Sequence, residues 1–155
     1  LQTIGREPQD RAARWGRIGT WVVTGTNLFI LQERFAPLPA TDDPSYKSGE
    51  HLGGHVFRAA RGYLTWIGEF VNRPVTDVDT DTDSVSIARK GRAFVEEVLA
   101  AWRRHLALLE DREMTPATRK SRWGEEYNIE QMLEHAVVHA MRHRVQLERL
   151  LSGRR

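Results

Sequence analysis

Met132-Leu133-Glu134-His135-Ala136-Val137-Val138-His139-Ala140-Met141-Arg142-His143-Arg144-Val145-Gln146-Leu147 is the stretch on which the fold reading turns. Advanced at about 100° per residue, Val137, Ala140, Leu147 and Leu151 fall within about 40° of Leu133. That is one apolar stripe of an amphipathic helix, predicted over 128–151, with Gly153 to stop it. His135, His139 and His143 stand four residues apart and form a ladder on this helix. His143 lies about 80° from the stripe, His139 about 120° and His135 about 160°. His143 and His139 therefore flank the core, and His135 is expected to point toward solvent.

Working outward, proline and glycine divide the remaining chain into three more segments with helical periodicity. The first spans about 9–35, with Ile18, Trp21, Val22, Leu28, Leu31 and Phe35. The second spans about 45–72, with Leu52, Val56, Ala59, Tyr63, Ile67 and Phe70. The third is read as one helix over about 85–111, with Phe94, Val95, Val98, Trp102 and Leu106. Residues 112–127 read as a polar connection. The alternating aspartates Asp77, Asp79, Asp81 and Asp83 lack the glycine and glutamate of an EF-hand loop. They read as a solvated loop in which Asp83 or Ser84 caps the third helix. Four amphipathic segments without strand-like alternation predict an all-α four-helix bundle, taken as a single domain over 1–155.

The composition narrows the function classes. The chain has 155 residues, 40% hydrophobic and 28% charged, as expected of a globular protein. It has no cysteine, which excludes a disulfide scaffold, a thiolate zinc site and a cysteine nucleophile. No apolar run approaches the ~18 residues of a membrane span. Residues Leu1 to Pro8 lack the apolar core of a secretory signal, and a cytoplasmic protein is expected. The net charge of +2 comes from interleaved acids and bases, without a nucleic-acid-binding signature.

Five of the six histidines fall in two clusters of i, i+4 spacing. In the second segment His55 sits at the edge of the apolar stripe, and His51 lies about 40° further from its centre. His55 is the better inward candidate and His51 the alternative. One histidine from this segment and two from the last helix, turned to one interior, would offer three neutral imidazoles to Zn²⁺ or Ni²⁺. Three protein ligands leave a position open for water or substrate. His105 and His135 are read as surface histidines. Position 140 is alanine, so the glutamate of an HExxH protease motif is missing.

The Met132–Leu147 stretch resembles the C-terminal helix of the DinB/YfiT-like superfamily. Ser48-Gly49-Glu50-His51-Leu52-Gly53-Gly54-His55-Val56 resembles the family segment that carries the first metal histidine. The resemblance implies a four-helix bundle with up-down-down-up connections. It also implies a divalent metal, zinc or nickel, on His55, His139 and His143, the same three that the phasing selects. The sequence departs from the family at Ala140, where glutamate is frequent, and at Val145, where glycine is frequent. Characterised members of the superfamily use low-molecular-weight thiols in metal-assisted S-transfer and isomerisation. The expectation is therefore a metal-dependent thiol S-transferase or hydrolase-like enzyme, with a low-molecular-weight thiol as partner and a homodimer as one assembly. The alternative is a non-catalytic stress-response bundle that binds metal and acts through protein contacts. No catalytic residue is assigned. Trp21, Tyr63 and Trp102 are candidate pocket walls, and Glu126 and Glu134 candidate acid/base groups.

Overall fold

A computed structural model describes residues 24–153. Residues 24–33 are helical and form α1. The earlier part of the first predicted segment, with Ile18, Trp21 and Val22, lies outside the described residues. A 3-10 turn at Pro44–Tyr46 follows, then α2 over Gly49–Phe70. Next come α3 at Ser84–Lys90, α4 at Arg92–Leu106 and α5 at Asp111–Met114. The strands β1, Arg119–Lys120, and β2, Glu126–Tyr127, form a small antiparallel hairpin, and α6 runs over Ile129–Ser152. The architecture is an all-α bundle with α2 at its centre, packed against α3, α4 and α6.

Local chemistry sets the helix ends. Ser48 Oγ accepts the His51 N–H at 3.2 Å, so α2 starts at Gly49 rather than near Ser45. Ser45 and Tyr46, read from sequence as the start of this helix, belong instead to the separate 3-10 turn at Pro44–Tyr46. Asn128 and Gln131 form a reciprocal capping box on α6. Asp83, one of two cap candidates, accepts the Ser86 N–H at 2.7 Å and starts α3. The third predicted helix is two helices. Gly91 breaks it with φ +54, a conformation that disfavours a side chain. Helical periodicity continues through the break, which is why the apolar pattern alone does not expose it.

One apolar core unites the elements. Leu52, Val56 and Leu64 of α2 meet Ile87 of α3, Phe94 and Trp102 of α4, and Met132 and Leu133 of α6. Trp102 is fully buried and its indole N–H donates to the Ala60 carbonyl at 2.9 Å, so it is core rather than pocket wall. Gly54 permits the closest helix approach. A Cβ there would lie 1.8 Å from the Ser84 carbonyl oxygen, which excludes any other residue without moving α3. This contact seats the N-terminus of α3, and the loop before it, on the His55 turn of α2.

That loop is built from the aspartates. Arg61 Nη1 donates to the carbonyls of Asp79 and Asp81 at 2.5 and 2.6 Å. Lys90 Nζ pairs with the Asp79 and Asp81 carboxylates at 2.6 and 2.9 Å. The hairpin is tied to α2 by the Trp66 indole N–H, which donates to the Lys120 carbonyl at 3.0 Å. Loop and hairpin both line one cavity alongside α2. Among the described residues no helix is long and apolar enough to cross a membrane.

Candidate metal centre

His55, on α2, and His139 and His143, on α6, converge. Their nitrogens lie within 4.8 Å of one another. His139 Nε2 is 3.2 Å from His55 Nε2 and 3.2 Å from His143 Nε2. The ring centroids form a triangle with sides of 4.5, 5.0 and 5.1 Å. Two imidazole nitrogens bound at ~2.0–2.1 Å to one tetrahedral zinc stand about 3.3 Å apart. The donor set and its spacing fit a divalent ion of that size.

Burial keeps these imidazoles neutral, the form that ligates metal. His143 is 2% exposed, and burial, reinforced by the neighbouring His55 and Arg142, lowers its pKa to about 4. Burial lowers His139 to about 3, with further contributions from His143 and His55. His55 is lowered by burial and then by Arg58.

Behind His143 lies a polar chain, buried at Tyr46 and half-buried at Gln146. Tyr46, from the 3-10 turn, places its Oη 2.7 Å from His143 Nδ1 and also donates to Gln146 Oε1. The hydroxyl has a single hydrogen, and Gln146 Oε1 can only accept. Tyr46 therefore accepts from His143 Nδ1–H, which leaves the lone pair on Nε2, directed at His139 and His55. Burial pushes the Tyr46 phenol up to about 12, so it stays protonated. A hydrogen bond of this kind fixes the tautomer and ring orientation of a histidine when it ligates a metal.

On the other side the group opens on a cavity of about 730 Å³, lined in part by His55, His139, Tyr63, Trp123 and His135. His135, which the angular count turns toward solvent, is half-buried against aromatic rings. Its ring stacks on Trp123 at 5.2 Å and meets Tyr63 edge-on at 5.5 Å. The hairpin turn covers it, and a helix projection carries no information about such a cover. Burial, with Arg142, lowers its pKa, so it presents a neutral imidazole to the cavity.

The other sequence candidates stand apart from the group. The His51 ring is bonded to Ser48 Oγ at 2.8 Å. His105 pairs with Asp77 at 3.0 Å. Glu134 is exposed, and Glu126 accepts from Thr118 on the outer side of the hairpin. Neither glutamate lines the cavity. Tyr63 does line it, while Trp21 is outside the described residues.

Sequence reasoning missed Tyr46 and Trp123. Nothing in the sequence ties Tyr46 to a histidine 97 positions away. Gln146 carried a faint signal, since i+3 from His143 places it on the same face.

The DinB family model matches residues 33–152, which include both histidine-bearing helices. The chain belongs to the DinB family. Neither a curated protein nor a solved structure matches it. Family membership and the three-histidine group agree on a protein of metal-binding DinB type.

Proposed function

We propose that this DinB-family protein is a divalent-metal-dependent enzyme, holding zinc or nickel on His55, His139 and His143. Its reaction is S-transfer with a low-molecular-weight thiol, or a hydrolase-like step on water. The observation that carries this reading is the convergence of three neutral imidazoles, two of which, His55 and His139, line a sizeable cavity. When bound, the metal supplies Lewis acidity that lowers the pKa of a thiol or water on its open position. Tyr46 and Gln146 hold the His143 ring with Nε2 toward His139, where it would serve as a ligand. Tyr63, Trp66 and Trp123 give the cavity an aromatic wall. The chain has no cysteine, so the thiol comes from the cosubstrate.

One observation favours a second reading, a non-catalytic metal-binding bundle of the stress response. No carboxylate lines the cavity among the described residues, so a general base of that kind is missing. The test is the metal content of protein purified without a histidine tag, with and without chelator treatment, followed by S-transfer assays with low-molecular-weight thiols. The enzyme reading expects about one metal ion per chain and thiol turnover that is lost with chelator and restored with metal. Bound metal without turnover favours the second reading, and absence of metal sinks both.

A further inference from the structure

The cavity beside the histidines carries charge of one sign. Arg58, Arg61 and Arg122 line it, and no aspartate or glutamate does among the described residues. Three neutral nitrogen ligands also leave a divalent ion its full charge, so metal binding reinforces the same potential.

The three arginines have different tasks. Arg61 is committed to the carbonyls of Asp79 and Asp81 and lies over the Phe94 ring, 5.7 Å from its centroid. It holds the loop. Arg58 uses one nitrogen on the Thr82 carbonyl at 2.9 Å and keeps its other donors. Arg122 is exposed at the hairpin turn and pairs with no acid among the described residues. Arg58 and Arg122 are therefore the cations available to a ligand. The wall between them and the histidines is aromatic and apolar, with Trp123 set edge-on to Tyr63 at 6.2 Å and Met132 beside them. Planar guanidinium groups match carboxylates, and flat apolar groups match the aromatic wall.

We infer that the cavity takes an organic carboxylate with a flat apolar body, its carboxylate against Arg122 and Arg58 and its body along Trp123 and Tyr63 toward the histidines. This inference rests on the reading of the cavity as the substrate chamber, and it names the substrate class.

The experiment compares trans-cinnamate with its neutral amide, by calorimetry, on the full chain stripped of metal and again after zinc loading. The metal-free protein is expected to bind the acid about tenfold more tightly than the amide. Raising salt from 0.02 to 0.5 M should erode that preference, because the arginines are exposed and screened. Arg122→Gln together with Arg58→Gln should bring the acid down to the level of the amide. Zinc should tighten the acid further. Circular dichroism of the double variant checks that it folds, and Arg122→Lys, which keeps the charge, should recover part of the preference. Equal binding of acid and amide, no binding of either at millimolar concentration, or a preference unchanged in a folded double variant overturns the inference. A protein that prefers the acid but takes up no zinc keeps this inference and refutes the metal-dependent reading.

Discussion

The two sides of the histidine group are built differently. On the Tyr46 side, His143 is buried, oriented by a phenol that is itself fixed by Gln146, and shut off from the cavity lining. On the Trp123 side, His55 and His139 reach a cavity rimmed by arginine, and their neighbour His135 makes ring contacts rather than ligand contacts. One side sets the direction of a lone pair, and the other leaves room for a reactant. A structural histidine cluster would need only the first. The coexistence of a rigid support and an open face is what the proposed reading, a reactive metal site, requires.

Breaking the shared ligands should have the largest effect. His139→Ala and His143→Ala are each expected to abolish metal retention, measured as metal-to-protein ratio after gel filtration. A variant that retains a full equivalent would remove its residue from the ligand set. The next effect is on the buried side alone. Tyr46→Phe deletes the acceptor of His143 Nδ1–H while keeping the ring, and metal affinity should fall about 10- to 100-fold. Competition with a chromophoric chelator measures this. Cinnamate binding to the metal-free variant should not change, and if it does, the two sides are not separable.

The pH response comes third. The three imidazoles are lowered in the folded protein, while in the unfolded chain they titrate near 6.5. Below about 6.5 the unfolded state binds protons that the native state refuses, so stability is intact above that pH and falls as pH drops. The loss should continue to about 4 for His143 and about 3 for His139. Melting temperatures of metal-free protein between pH 7.5 and 4 check it, and His139→Leu should flatten the profile. A wild-type profile that is level through this window would show that burial does not hold the imidazoles neutral. The smallest effect belongs to the open side. His135→Ala should leave metal affinity within about threefold, because its ring lies outside the group and supports no ligand by hydrogen bonding. A loss comparable to that of His139→Ala would mean that the ladder is read one rung out of place.

The sequence made the bundle legible because apolar spacing in 128–151 and 45–72 follows the helical period, and burial follows that spacing. The same phasing placed His143 deepest, as found, while His139 and His135 are both half-buried. It failed where structure depends on a single backbone angle or on distant chain. Gly91 divides a continuous apolar pattern through one positive φ. The connection 112–127 carries no period, yet it folds into α5 and a hairpin whose Trp123 covers His135. Tyr46 reaches His143 across 97 residues, a pairing set by the packing of the 3-10 turn against α6. Local pattern encodes which face of a helix is buried. It does not encode what lies against that face.

The central claim is that His55, His139 and His143 form a metal site in the folded protein. Its most direct test is a pair of thermal melts at pH 7.5, with chelator and with Zn²⁺ or Ni²⁺, on wild type and on His139→Ala. A ligand that binds the native state alone, at 100 times its Kd, stabilises by about 2.7 kcal/mol. The wild type should therefore melt about 5–11 °C higher with metal, at roughly 2–4 °C per kcal/mol for a chain of this size, and the His139→Ala variant should not respond. Melts that superimpose with and without metal in the wild type would contradict the claim and leave the three histidines as a packed core cluster.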